Sequence, residues 1–187
     1  MRGIPGIDRI EKTLVAQQKA KDRVQELSRD VIRLAGKTIT QMHAGRMREA
    51  QASMKRLASL EKMLRRAEKG FEYFSTQAHQ EYVEASTFYI IIREHRLASA
   101  AELHAGEVPY LLGIMDLTGE LKREITDAVR SRNMRSADTY YGFMKGIYDS
   151  TRGMRFADSL VPEFRRKQDA ARIQLEGAAE LLARASA

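Results

Sequence analysis

Two apolar stretches decide the fold. They are Glu81-Tyr82-Val83-Glu84-Ala85-Ser86-Thr87-Phe88-Tyr89-Ile90-Ile91-Ile92 and Val108-Pro109-Tyr110-Leu111-Leu112-Gly113-Ile114-Met115-Asp116-Leu117-Thr118-Gly119-Glu120-Leu121. A helix that is apolar on all sides is a buried helix, so both segments belong at the centre of a bundle. The only charged side chains in them are Glu81, Glu84, Asp116 and Glu120. A buried carboxylate must be paired, neutralised or bound to a cation. Neither stretch holds a Lys or Arg, so the four together point to a divalent metal.

The spacing supports that reading. Glu81 and Glu84 are three apart and Asp116 and Glu120 four apart, so each pair shares one helix face. Helices pack with axes about 8–10 Å apart, which lets facing carboxylates meet across the gap. All-oxygen ligation suits Mg²⁺ or Mn²⁺. Such a site can acidify water and neutralise charge growing on a phosphodiester. Asp116, Glu84 and Glu81 are assigned as ligands, and Glu120 as a further ligand or the base that orients the water. Carboxylate pairs at these spacings are also common on solvated helix faces, where Glu120 with Glu124 is placed. The apolar neighbours set the four apart. A ferritin-like di-metal bundle needs Glu-x-x-His pairs, yet none of His43, His79, His95 and His104 lies three residues after a Glu. His79 reads as a surface histidine or an RNA contact.

Outward from these stretches the chain is helical throughout. With 3 prolines and 12 glycines in 187 residues, punctuation is sparse and long helices follow. About seven are expected, forming one all-α domain over residues 1–187, an antiparallel bundle. The first starts with Asp8 as N-cap and carries Ile10, Leu14, Val24, Leu27, Val31 and Leu34 on one face. The second runs from Arg46 to Lys69 and stops at Gly70. The third runs from Phe71 to Arg96, with a short fourth over Ser99–His104. Pro109 opens the fifth. The sixth starts at Ser136 as N-cap, and the seventh at Pro162. Gly142 and Gly146 leave room for another helix to approach. The long amphipathic terminal helices can pack on another subunit as readily as on their own core.

The net charge of +7 favours polyanionic partners, nucleic acid first. From Arg46 to Lys69 eight basic residues stand against Glu49, Glu61 and Glu68, 8 − 3 = +5 in one helix. Arg48, Lys55, Lys62, Arg66 and Lys69 fall on one stripe able to follow a phosphate backbone. Lys122 and Arg123, beside the acidic helix, can hold RNA near the metal. The absence of cysteine excludes disulfides, thiolate catalysis and Cys-based zinc sites. The longest purely aliphatic-aromatic run, Phe88 to Ile92, cannot span a bilayer. No signal-peptide pattern opens the chain. The expectation is a cytoplasmic protein that does not engage membranes.

Gln80-Glu81-Tyr82-Val83-Glu84-Ala85 and Tyr110-Leu111-Leu112-Gly113-x-x-Asp116-Leu117-Thr118-Gly119-Glu120-Leu121 resemble the two signatures of translin-associated factor X, the catalytic kind within the translin family. Phe143-Met144-Lys145-Gly146-Ile147-Tyr148-Asp149 is similar to that family's sixth helix. The resemblance implies a bundle assembled into a hollow, roughly octameric homo-oligomeric shell. It implies a Mg²⁺- or Mn²⁺-dependent endoribonuclease acting there on single-stranded or short duplex RNA, with Glu81, Glu84, Asp116 and Glu120 as its acidic residues. A separate translin subunit is a further candidate partner. The alternative is a translin-like oligomer that binds single-stranded RNA or DNA without cleaving it.

Overall fold

The computed structural model describes residues 4–186. Among them are six α-helices and one 3₁₀ turn: α1 (Ile7–His43), α2 (Met47–Ala67), the turn Glu72–Phe74, α3 (Thr76–Glu94), α4 (Glu107–Arg130), α5 (Met134–Thr151) and α6 (Phe164–Ser186). The short fourth helix expected over Ser99–His104 does not form. Residues 100–104 form turns instead, closed by His104 in a left-handed conformation. Two further expectations shift at the caps. Gly6, at φ 83°, precedes α1, so Asp8 lies inside the first turn. Asn133 rather than Ser136 caps α5, accepting a hydrogen bond from the Ser136 backbone N–H. Its short amide side chain supplies the acceptor that such a cap needs.

The packing order follows from apolar stripes. α1 and α2 form a hairpin, and α3 lies on α1. α4 is central, touching α3, α5 and α6. α3 and α4 are buried as their composition demands, with Val83, Ala85, Phe88, Ile91, Leu117, Leu121 and Ile125 fully enclosed. Val24, Leu27 and Val31 of α1 and Ala50, Leu57 and Leu64 of α2 join the same core, as do Phe164, Ala171 and Ala178 of α6. Ile10 and Leu14 do not: they are 53% and 58% exposed. Residues 7–20 of α1 are exposed throughout. At 1.5 Å per residue, about 21 Å of helix therefore overhangs the bundle. The Gly142–Gly146 face of α5 is also open, with no neighbouring atom within 4 Å of the space a Cβ would take.

Of the described glycines, Gly113 has the least room. A Cβ there would stand 2.7 Å from the Gln80 carbonyl oxygen and 2.8 Å from the Val83 Cβ. Only a glycine lets the backbone of α4 lie directly on α3 at this point. Asp116 is one helical turn further on, and Glu81 and Glu84 flank Val83. This close contact of the two helices thus sits beside the acidic pairs.

Candidate active site

The structure brings all four carboxylates to one place between α3 and α4. Glu84 is 8% exposed. Burial, then the charges of Asp116, Glu81 and Glu120, push its carboxyl up to about 9. Among the described residues it has no hydrogen-bond or ion-pair partner. Glu81 is raised for the same reasons, first burial and then Asp116, against the opposing pull of Lys167 and the Gln77 side chain. Shifts of this origin arise where like charges are held together in a low-dielectric setting.

Two contacts qualify the inference drawn from the absence of local cations. Lys167 of α6 reaches in and pairs with Asp116 Oδ1, and the Gln80 amide donates to Asp116 Oδ2. The cation that neither apolar stretch contains comes from the far end of the chain. Its signal was present: Lys167 follows Phe164 by three and precedes Ala171 by four, which places it on the apolar stripe of α6. On the other flank, His43 is wedged between Glu120, through Nε2, and Glu124, whose Oε1 lies 2.6 Å from Nδ1. Only 2% of the His43 side chain is exposed. Burial pulls its pKa down, but the two carboxylates outweigh that and lift it to about 9. The protonated ring donates to both. Glu124, placed on a solvated face from its spacing, therefore belongs to this network. His43 lies four residues after the buried Ile39, again a stripe position.

A cavity of about 550 Å³ opens onto the cluster. Gln77, Gln80 and Glu81 form its α3 wall, Asp116 its α4 wall, and Arg166 and Lys167 its α6 wall. The donor set suits a hard cation in chemistry, since it is all carboxylate with one ammonium against four acids. As the side chains stand, no three Asp, Glu or His groups among the described residues are disposed to share one ion. Lys167 and Gln80 hold Asp116 in the arrangement seen.

His79 is mostly buried rather than a surface group. Its side chain is 12% exposed and bridges Glu61 (2.6 Å) and Glu68 (2.5 Å). Glu61 also binds Arg65 at 2.8 Å. Two of the three acids in the basic helix are thereby turned inward. Arg48, Lys55, Lys62, Arg66 and Lys69 are exposed and form no ion pair among the described residues. None of them lines the acidic cavity. Arg123 is exposed and Lys122 half-buried, the Lys122 ammonium lying over Gly177 of α6. No described helix is long and apolar enough to cross a membrane.

The backbone has close relatives. It superimposes on the crystal structure of apo-NeC3PO with a TM-score of 0.88 at 23% identity, covering 99% of this chain and 100% of that one. The AfC3PO–duplex RNA complex matches at the same TM-score with 26% identity and 96% coverage of both chains. An uncharacterized protein of Methanocaldococcus jannaschii, MJ0175, is 29% identical over 172 residues, which is 87% of this chain and 75% of that protein. The translin family profile matches residues 19–177, a span that includes both acidic helices and the basic stripe; the chain belongs to the translin family.

Proposed function

We propose that this chain is a divalent-metal-dependent endoribonuclease that works as a homo-oligomeric, shell-like assembly. The observation that carries the reading is the electrostatic coupling of Glu81, Asp116 and Glu120 to a buried Glu84 that has no cationic partner of its own among the described residues. A solved relative is a complex with duplex RNA, which supports RNA as the ligand class. Asp116, Glu84 and Glu81 would hold Mg²⁺ or Mn²⁺, with Glu120 as a further ligand or as base. When bound, such an ion neutralises charge growing on a phosphodiester and lowers the pKa of water. The protein supplies the rest. His43 fixes the Glu120 carboxylate from behind, so its free oxygen can accept the proton of an attacking water. Arg166 and Lys167 bring positive charge to the cavity wall where a phosphate must enter. The exposed cations of α2, with Arg123, supply the salt-dependent affinity that draws RNA to the surface.

The pairing of Lys167 and Gln80 with Asp116 favours a second reading, an RNA-binding oligomer whose acids are structural. One experiment separates the two. Labelled single-stranded RNA is incubated with the protein in Mn²⁺, Mg²⁺ or chelator. Cleavage in either metal alone, abolished by Asp116→Asn with RNA affinity retained, is the expected result. Equal cleavage by that variant, with contaminating nuclease excluded, defeats the enzymatic reading.

A further inference from the structure

The cavity beside the carboxylates has one wall that the hydrolytic reading does not use. Tyr73 stands at its edge and is 88% exposed, the most exposed of the large hydrophobic side chains among the described residues. The 3₁₀ turn that carries the ring is tied down by the Gly70 N–H donating to Glu72 Oε1 at 2.9 Å and by Ser75 Oγ donating to Glu68. Phe74 supports the ring edge-on, with ring centroids 5.6 Å apart at 83°, and the Lys21 ammonium lies 5.8 Å from the Phe74 centroid. An aromatic face held out into water beside a polar cavity is a surface waiting for a flat partner.

The α6 wall supplies an anion-binding group. Arg166 lines the same cavity, and among the described residues its ion pair is with Glu163, at 2.5 Å, where both side chains are more than half exposed. Such an exposed pair is held weakly. A phosphate offers the guanidinium a bidentate partner of higher charge. The cavity's volume of about 550 Å³ lies in the range of pockets that take small ligands.

We propose that this cavity is a nucleotide subsite, in which the Tyr73 ring stacks on one nucleobase and Arg166 holds an adjacent phosphate. A stacked base inside a duplex offers no free face, so the subsite selects RNA in which a nucleotide is single-stranded or splayed. The inference rests on the reading of RNA as ligand, but not on catalysis.

Binding in the presence of chelator tests it apart from cleavage. Fluorescence anisotropy is measured with a short single-stranded RNA and with the blunt duplex of the same sequence. One stacked base is worth about 5- to 150-fold in affinity, so Tyr73→Ala weakens the single strand by that factor and leaves the duplex unchanged. Tyr73→Phe retains affinity. The chain has no tryptophan, so Tyr73→Trp introduces a single indole, whose emission is quenched by the single strand. Arg166→Gln lowers the salt slope by about one. The proposal is overturned if Tyr73→Ala binds the single strand like wild type, or if the indole is not quenched. It is equally overturned if single strand and duplex weaken together while sedimentation shows a changed assembly, which would make Tyr73 a subunit contact. Failure of metal-dependent cleavage leaves these binding results standing and counts only against the enzymatic reading.

Discussion

Glu84 carries an uncompensated burden when no cation is bound. Its carboxyl titrates near 9 in the fold against an ordinary 4.5. Between these values the unfolded chain has lost a proton that the folded chain keeps, so stability falls as pH rises. Glu84→Gln removes that term. In chelator at pH 8 the variant should melt higher than wild type, and at pH 4 the difference should vanish; calorimetry across the range reads this directly. His43 adds to the same slope over a narrower window. Raised from 6.5 to about 9, it contributes stability that is complete below pH 6.5 and lost as pH climbs through 9. His43→Gln should flatten the melting profile between those limits. At this scale the sequence was a good guide to the acids and a poor one to their partners. Four carboxylates among Val, Phe, Ile and Leu announce themselves. Lys167 and His43 lie 51 and 77 residues from the acids they bind, and nothing local marks a contact that only the tertiary fold creates. The one clue was a charged or polar residue on an otherwise apolar stripe.

The crossing of α3 and α4 translates those residues into a site. Because the two backbones touch at Gly113, Gly113→Ala forces a shift against the Gln80 carbonyl and Val83, neither of which is a flexible tip. Overpacking of this kind costs about 1–3 kcal/mol. Denaturant melts should show that loss, and cleavage should fall further than RNA affinity, since the acids separate while α2 is untouched. The basic helix is legible from sequence as a stripe, yet its effective charge is not. Glu61 and Glu68 count against it on paper but are turned in toward His79. Replacing Lys55 and Lys62 together by Glu should weaken RNA binding and reduce its dependence on salt concentration; unchanged affinity and slope would show the stripe to be only a solvated face. Element boundaries were readable to within a few residues where glycine or proline marks them. The Ser99–His104 segment turns rather than coils because its helix-forming residues are too few to nucleate a helix of their own.

At the level of the whole molecule, the all-helical class came from composition, while the reach of α1 did not. Ile10 and Leu14 repeat in step with the core residues of that helix, and periodicity cannot say where the core ends. In one chain their stripe faces water, with Ile4, Ile7 and Val15 alongside. Contiguous apolar surface of this kind marks a place where proteins meet. Ile10→Glu with Leu14→Glu should therefore shift the protein to smaller species in sedimentation, without unfolding the bundle that begins at Val24. The overhang has a thermodynamic corollary. A cantilever that is covered only when copies meet makes stability a property of the population rather than of the individual chain, so the melting temperature should drop on serial dilution.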